Sequence, residues 1–311
     1  MNNVILSPSE ESAVRTQNNK EDSSLALRMT DDNVTVDDIL REARITVDMV
    51  DARMLLCHSL GVRREYLATH PDRLLTETEA THFNTLVARR ASGEPVAYLV
   101  GSREFYGRDF SVTPAVLIPR PETELLVDLA LARMPQRGRC EALDLGTGSG
   151  AIAITLACER PAARIFAVDA SQAALDVASG NASSLLGSGW ASRLTLLHGD
   201  WYGHLIGRRF DVIVANPPYV EAGDPHLAQG DLRFEPAAAL TPGGDGLGAL
   251  RVIVAGAPAH LVPGGWLICE HGYDQAAEIQ ALFRAAGLND VTTVPDLAGI
   301  PRATLGRRAM D

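Results

Sequence analysis

The spacing of hydrophobic and polar positions divides the chain into three parts. Residues 1–33 are rich in Ser, Asn, Glu and Asp with little apolar periodicity, so we expect a disordered extension, and the abrupt change of pattern after Met29 suggests a translation start there. Apolar positions over 34–93 recur at helical spacing, which predicts a helical domain of about four helices. Beyond Pro121, strand and helix periods alternate, which predicts an α/β domain over 121–311.

Residues that begin and end helices support the helical assignment of the first domain. Thr35 is a candidate N-cap, and Thr76 with Glu79 has the spacing of a capping box. Gly61 and Gly93 stand where helix C-caps are expected, because glycine readily adopts the left-handed conformation. These signals together predict a small bundle of short helices.

The two domains are predicted to be joined by a linker over 94–120. Within it, short apolar alternations on both sides of a Gly-containing turn predict a β-hairpin over 105–112. The alternation beyond the linker implies a mostly parallel sheet covered by helices on both faces, with a ligand crevice at the ends of its strands. We predict strands near 140–145, 164–169, 193–198, 210–215 and 265–270, and helices near 122–134, 150–159, 171–186, 247–261 and 274–286.

Composition narrows the classes of protein. The 311 residues are 46% hydrophobic, no apolar run approaches a membrane span, and no basic segment precedes an apolar one at the N-terminus, so we expect a cytoplasmic protein without membrane contact. A net charge of −11 opposes binding to a phosphate backbone. No C-x-x-C pair occurs, so we expect buried free thiols and no metal site at the four cysteines, Cys57, Cys140, Cys158 and Cys269.

A glycine-rich turn follows the first predicted strand of the α/β domain. Leu143-Asp144-Leu145 leads into Gly146-Thr147-Gly148-Ser149-Gly150, and a helical pattern begins at once. Glycines permit a tight turn and close approach by a ligand, and the N–H groups of a helix N-terminus favour an anionic group. Nineteen residues after Gly150, the next strand ends in Asp169, whose carboxylate can accept both hydroxyls of a ribose.

Two cofactors compete for this turn. Dinucleotide-binding proteins usually show G-x-G-x-x-G, whereas this loop is G-x-G-x-G and carries Asp144 two residues before its first glycine. The loop resembles motif I of S-adenosylmethionine-dependent methyltransferases, whose ligand has a carboxylate and an amine but no phosphate. Asp144 then lies near a sulfonium ligand, or alternatively caps the turn. Trp201 follows a predicted strand at the place where such methyltransferases have residues beside the adenine of the ligand. It is expected either to shield that ring or to be a core tryptophan.

The tetrapeptide Asn216-Pro217-Pro218-Tyr219 follows an apolar run and is suited to holding a planar amide. An amide nitrogen is a poor nucleophile, so its alkylation depends on positioning. The Asn216 side-chain oxygen and the Pro217 carbonyl can accept the two N–H bonds of such a nitrogen, and prolines add no competing backbone donors. Tyr219 offers a ring face to the flat group. The alternative is a Pro-Pro turn that closes a strand.

With these two motifs, the chain resembles the HemK-like release factor glutamine methyltransferases, which are amino-methylating members of class I. The resemblance covers roughly residues 35–306. The further blocks that carry it are Gly93-Glu94-Pro95-Val96-Ala97-Tyr98, Leu117-Ile118-Pro119-Arg120-Pro121-Glu122-Thr123-Glu124, Arg233-Phe234-Glu235-Pro236 and Gly243-Gly244-Asp245-Gly246-Leu247.

The resemblance implies a class I, Rossmann-like α/β domain with a mostly parallel seven-stranded sheet, preceded by a helical bundle that helps to hold the protein substrate and by a linking β-hairpin. It implies methylation of the glutamine side-chain nitrogen in the Gly-Gly-Gln motif of class 1 peptide chain release factors. A sister family modifies a glutamine of a ribosomal protein, but the segment 120–124 resembles the release-factor branch. The implied cofactor is S-adenosyl-L-methionine, bound by Asp144, Gly146, Thr147, Gly148, Ser149, Gly150, Asp169, Trp201 and Asn216.

The expected reaction is direct displacement at the sulfonium methyl by the glutamine nitrogen. Asn216 and Pro217 would orient the amide and Tyr219 would pack on it, with Pro218 completing the substrate site. The proton can leave after the nitrogen becomes cationic, so no strong base is required. His271, at a strand end, is the best candidate for a base, although a structural role is the stronger expectation for it.

Other functions remain open on the sequence. A nucleic-acid adenine methyltransferase would use a similar motif after base flipping, but the acidic charge and the absence of a basic stripe disfavour it. A dinucleotide-dependent oxidoreductase is disfavoured by the loop spacing. A cofactor-binding module without catalysis is disfavoured by the intact Asn216 motif.

Overall fold

The computed structural model describes residues 34–310, which divide into two compact units, one ending at Ser92 and one beginning at Gly93. The predicted disordered extension over 1–33 and the predicted start at Met29 lie outside the described residues. Each unit has its own buried core.

The described part of the N-terminal unit contains four helices, as the helical spacing predicted. Thr35 and Thr76 both accept hydrogen bonds from N3 backbone groups in complete capping boxes, so both predicted caps are confirmed. Gly61 ends its helix at φ 64°, whereas the last helix is capped by Ser92, one residue before the predicted position. The helices are α1 (Val36–Ala43), α2 (Met49–Leu60), α3 (Arg64–Thr69) and α4 (Glu77–Ala91).

The apolar positions of these helices form the core of the unit. Leu55 and Leu56 of α2 are fully buried, as is Phe83 of α4, and Leu86 is nearly so. Helix α2 packs against both α1 and α4. Burial of these side chains stabilises helices that are too short to persist alone in water.

The C-terminal unit opens with the short helix α5 (Val96–Val100) and a two-stranded antiparallel hairpin, β1 (Ser102–Phe105) and β2 (Arg108–Ser111). The hairpin was predicted, but its first strand ends where the prediction began it. Tyr106 and Gly107 form the turn with φ values of 53° and 72°, the left-handed geometry of a two-residue hairpin loop. Helix α5 was not predicted. The wider linker over 94–120 stays a prediction.

The remaining strands form one sheet of seven, within which the five predicted strands all appear at or near their predicted positions. The strands are β3 (Glu141–Leu145), β4 (Arg164–Asp169), β5 (Leu194–His198), β6 (Phe210–Ala215), β7 (Leu261–Glu270), β8 (Asn289–Pro295) and β9 (Pro301–Arg307). The helices beside it are α6 (Glu124–Leu131), α7 (Ala151–Glu159), α8 (Gln172–Leu186), α9 (Ala237–Leu240), α10 (Gly248–His260) and α11 (Ala276–Ala285).

The strand order is β5-β4-β3-β6-β7-β9-β8, with β9 antiparallel to both of its neighbours and the other pairings parallel. This confirms the mostly parallel seven-stranded sheet. The chain moves outward from β3 to β4 and β5, then returns to add β6 on the other side of β3. A crevice at the carboxyl ends of the strands is expected where the order reverses in this way.

Side chains that alternate along the central strands supply two cores, one on each face of the sheet. Ala142 and Val212 face one core, which contains residues of α6 and α7. Leu143 and Ile213 face the other, which contains residues of α10 and α11. Burial on both faces explains why these strands are largely apolar, without a strict alternation of polar and apolar residues.

The predictions on membrane spans and on cysteines can be compared with the described residues. Between residues 34 and 310, every helix is too short or too polar to cross a bilayer. The four cysteines are free thiols, as predicted. The expectation that all four are buried is right only for Cys140 and Cys269, because Cys57 and Cys158 are partly exposed.

Candidate active site

A cavity of about 360 Å³ lies in the C-terminal unit at the carboxyl ends of β3, β4 and β6. One side, here called the glycine-loop wall, consists of residues 146–149 with Asp169 and Trp201. Another part of the lining, here called the amide wall, consists of Asn216 and Pro218. The strand-order reversal between β3 and β6 brings these two walls together.

Backbone hydrogen bonds hold the glycine loop in shape. The N–H groups of Gly146 and Thr147 both donate to the Val168 carbonyl, at 2.9 and 3.0 Å. The Gly148 N–H donates to Asp169 Oδ2 at 2.8 Å. Gly146 and Gly148 have φ values of 77° and 55°, which glycine adopts without the strain of a side chain. Three N–H groups of this turn are therefore already used inside the protein.

Asp144 lies behind the loop and outside the cavity lining. Its Oδ2 accepts from Thr147 Oγ1 at 2.7 Å and from the Ala153 N–H at 3.2 Å, which ties the turn to the start of α7. Its Oδ1 is buried without a hydrogen-bond partner among residues 34–310. Burial raises the pKa of Asp144 to about 7, and the Asp169 charge acts in the same direction. The carboxylate thus supports the turn directly, and its charge lacks a cationic partner in the described protein.

Asp169 and Trp201 lie on the cavity wall itself. The two oxygens of Asp169 each accept one backbone N–H, from Gly148 and from Ser171, which leaves further lone pairs on both. Trp201 has a φ of 45° and its ring lies close to Gly146, where an added Cβ would come within 3.7 Å of the ring. A polar acceptor and an aromatic surface thus share this wall.

A chain of side-chain hydrogen bonds supports the amide wall. Asn216 Nδ2 donates to Thr123 Oγ1 at 3.0 Å, and Thr123 Oγ1 donates to Glu270 Oε2 at 2.8 Å. The Tyr219 hydroxyl donates to the other oxygen of Glu270, Oε1, at 3.1 Å. One buried carboxylate therefore holds both ends of the Asn216 to Tyr219 segment.

Glu270 is 2% exposed, and its surroundings perturb its acidity. Burial raises the pKa of Glu270 to about 7, with a smaller contribution in that direction from Glu122, although the hydroxyls of Thr123 and Tyr219 and the charge of Arg302 lower it. Burial and the Glu270 carboxylate together raise the pKa of the Tyr219 hydroxyl above its usual range, so Tyr219 remains a donor.

A second carboxylate positions the segment that closes the cavity beside Thr123. Glu235 accepts from the Ile118 N–H at 3.0 Å and also from the Arg120 guanidinium. Tyr98 donates its hydroxyl to the Val116 carbonyl at 2.7 Å, in the same segment. Residues from three separate sequence blocks thus shape one side of the cavity.

The glycine-rich segment before α10 packs on the amide wall from behind. A Cβ added to Gly246, at φ 76°, would lie 2.4 Å from the Tyr219 carbonyl oxygen. The same carbonyl accepts from Gln275 Nε2 at 3.0 Å. The segment 243–247 is a loop that enters a helix, as predicted, and its close approach fixes the backbone of Tyr219.

The structure brings most of the predicted site residues to one cavity. Eight of them line it: Gly146, Thr147, Gly148, Ser149, Asp169, Trp201, Asn216 and Pro218. The other four lie outside its lining: Asp144, Gly150, Pro217 and Tyr219. Individual roles in binding and catalysis stay predictions.

Sequence reasoning missed Thr123, Glu270 and Gln275. The signal for Thr123 was its place in the block 120–124, and Glu270 directly precedes His271 at the strand end. His271 itself is buried, with Nε2 2.9 Å from Thr304 Oγ1 and Nδ1 2.8 Å from the Gly272 carbonyl oxygen. Burial also lowers the pKa of its imidazole. The geometry favours a structural role for His271, outside the cavity lining.

Two family models match the chain. They are the PrmC N-terminal domain over residues 36–101 and the methyltransferase small domain over residues 123–247. The matches cover parts of both units.

Curated relatives are similar over nearly their whole length. A release factor glutamine methyltransferase of Burkholderia pseudomallei is 53% identical over 88% of this chain and 96% of its own. One of Xylella fastidiosa is 51% identical over 86% of this chain and 96% of its own. Among solved structures, a release factor-specific protein-(glutamine-N5) methyltransferase from Alicyclobacillus acidocaldarius is 32% identical over 64% of this chain and 99% of its own, with a TM-score of 0.40.

Proposed function

This chain belongs to the release factor glutamine methyltransferases, and we propose that it methylates the side-chain nitrogen of the glutamine in the Gly-Gly-Gln motif of class 1 peptide chain release factors. We propose S-adenosyl-L-methionine as the methyl donor and release factors as the protein partner. A substrate that works on the ribosome also implies a cytoplasmic location.

The glycine-loop wall supports a donor without phosphates. The N–H groups of Gly146, Thr147 and Gly148 are occupied by protein acceptors, so they are not free to cradle a pyrophosphate as in a dinucleotide site. Asp169 retains acceptor capacity for ribose hydroxyls, and the Asp144 carboxylate has an unpartnered oxygen whose charge favours a cation nearby. When bound, S-adenosylmethionine supplies an activated methyl group on a positively charged sulfur.

The amide wall supports an amide as the acceptor. Asn216 lines the cavity, and its Nδ2 is engaged by Thr123, so the side-chain oxygen is the end that remains for a ligand N–H. This engaged Asn216 is the observation that carries the proposal, because a planar N–H₂ group needs acceptors in its own plane. The wall would thereby hold the glutamine nitrogen in place, and this orientation would provide most of the rate enhancement.

Transfer of labelled methyl groups tests the function. The purified chain is incubated with methyl-labelled S-adenosylmethionine and, separately, with a class 1 release factor, the same factor with the Gly-Gly-Gln glutamine changed to alanine, large-subunit ribosomal proteins and DNA. We expect label on the unmodified release factor alone. Label on ribosomal protein alone would favour the sister activity, and label on DNA alone would overturn the proposal.

A further inference from the structure

We propose that Glu270 is a positioning residue for methyl transfer, which it serves by fixing which end of the Asn216 amide faces the substrate. It acts through the Thr123 hydroxyl, since Glu270 lies outside the cavity lining. This inference rests on the proposed function, because it assigns the Asn216 oxygen to the glutamine nitrogen.

The direction of the hydrogen bonds follows from what each group can donate. An ionised carboxylate only accepts, and Thr123 has a single hydroxyl proton, which it gives to Glu270 at 2.8 Å. The Thr123 oxygen is then left as an acceptor, so it selects the N–H₂ end of Asn216, at 3.0 Å. The oxygen of Asn216 must consequently point away from Thr123.

Without this relay, Asn216 would have little reason to prefer one orientation. The two ends of an asparagine amide are nearly identical in shape, so only hydrogen bonding distinguishes them. In the reversed orientation the Asn216 N–H₂ would oppose the N–H₂ of the substrate, donor against donor. The relay therefore favours an amide substrate and disfavours a group that presents only acceptors, such as a carboxylate.

The same carboxylate also fixes the far end of the segment. Tyr219 donates to Glu270 Oε1 while Thr123 donates to Oε2, so both oxygens accept from groups that support the amide wall. Glu270 ends β7, next to β6, which leads into Asn216. The pairing of β6 with β7 and the packing of α6, which follows Thr123, against β7 thus place one buried acceptor where it reaches both Thr123 and Tyr219.

Variants of Thr123 provide the sharpest test, because they break the relay without removing a charge. Thr123→Val keeps the shape but lacks the hydroxyl, and we expect kcat on the release factor to fall about 10- to 100-fold, as when outer-shell partners of active groups are lost. S-adenosylmethionine affinity, measured by calorimetry, should change less than about twofold, because the glycine-loop wall is untouched. Thr123→Ser restores the hydroxyl and should recover most of the lost rate.

Thr155 offers a matched control within the same chain. It is fully buried in α7, outside the cavity lining, and its hydroxyl has no partner among the described residues. Thr155→Val should leave methyl transfer unchanged and should not lower the melting temperature, because no hydrogen bond is lost.

Coupling to Asn216 separates positioning from general damage to the fold. In an Asn216→Ala background, Thr123→Val should lower the remaining rate less than about twofold, because there is no amide left to orient. Glu270→Gln should lower kcat like Thr123→Val, since a glutamine at this position can donate to Thr123 and allow Asn216 to reverse. Thermal melts of all variants confirm that folded protein is compared.

The outcomes are distinguishable from failure of the proposed function. If wild-type protein does not label the release factor, the proposed function fails. If wild type does label it while Thr123→Val or Glu270→Gln matches wild type, or the Thr123→Val loss stays equally large without Asn216, the relay is overturned.

Discussion

The two walls of the cavity are built by contacts of different range. In the glycine-loop wall, the supporting side-chain hydrogen bonds of Asp144 and Asp169 join residues 2, 3, 9 and 21 positions apart. At the amide wall, the bonds of Asn216 and of the adjoining Tyr219 join residues 51, 56 and 93 positions apart. One wall is held by its own stretch of chain, and the other by residues from across the domain.

This difference predicts which activity is sensitive to substitutions far from the cavity. The glycine loop has most of its hydrogen-bond partners between Asp144 and Ser171, so changes outside that stretch of chain should have little effect on its shape. The amide wall depends on Thr123, Glu270, Gly246 and Gln275, which have no shared motif with Asn216. We therefore expect substitutions far from the cavity in sequence to alter the rate of transfer more readily than the affinity for the methyl donor.

The largest expected effect is that of a substitution at Asn216, which should lower the rate of transfer and leave donor affinity nearly unchanged. Asn216→Ala removes the acceptor proposed for the glutamine nitrogen, and we expect methyl transfer to slow by about 100- to 1000-fold, by analogy with the loss of one preorganised polar contact. Donor affinity should stay nearly intact. Single-turnover rates and calorimetry measure the two quantities, and an equal loss of donor affinity would contradict the separation of the walls.

The next test reaches the amide wall from a distant glycine. Gly246→Ala places a Cβ 2.4 Å from the Tyr219 carbonyl, and the resulting displacement should lower kcat by about 10- to 100-fold. Gly243→Ala is the control, because Gly243 has a similar φ of 80° but nothing within 4 Å of an added Cβ. Equal losses in both variants would mean that backbone strain, and not displacement of Tyr219, causes the effect.

A substitution at Asp144 tests the support of the glycine-loop wall. Asp144→Asn removes a buried charge while keeping the shape, and donor affinity should weaken about tenfold if that charge attracts a sulfonium, which corresponds to about 1.4 kcal/mol. The melting temperature of the ligand-free protein at pH 8 should rise, because burial raises the pKa of Asp144 to about 7 and its ionised form is disfavoured there. A lower melting temperature would show that the carboxylate instead stabilises the loop.

The smallest expected effect is a pH dependence of a few-fold in the rate. Because burial raises the pKa of Glu270 to about 7, methyl transfer at saturating donor should rise between about pH 6 and pH 8, as the residue becomes a pure acceptor. Of the charged groups near Glu270, Arg302 lowers its pKa and Glu122 raises it. Glu270→Gln should flatten this profile, and a profile that is unchanged in the variant would assign the titration to another group.

Over part of this pH range the free energy of unfolding should fall as pH rises, whereas the rate of transfer should rise. Between about pH 4 and pH 7, the folded chain retains protons on Asp144 and Glu270 that the unfolded chain has released, so these groups make the free energy of unfolding fall as pH rises. Thermal melts of ligand-free wild type and Asp144→Asn across this window check the sign, because the variant should show the smaller slope.

Most of the fold could be predicted because its elements have strong local signals. The five predicted strands, β3 to β7, are rich in apolar residues, and the glycine loop occupies a contiguous segment. Strands β8 and β9 were not predicted. Strand β8 is largely exposed and mixes polar with apolar positions, and β9 has Thr304 and Gly306 at buried positions, which interrupts an apolar run. Helix α5 has only five residues, too few for a helical period to be visible.

By itself, the sequence determined the domain class, the family and the two motifs that face the cavity, since each motif is written in adjacent residues. Only the tertiary structure decided that Glu270 supports the site while His271 packs in the sheet, and that Asn216 turns its N–H₂ end toward Thr123. The reason is physical: Thr123 is hydrogen-bonded to Asn216, 93 positions away, and to Glu270, 147 positions away, and bonds between such distant segments leave no periodic trace in the sequence.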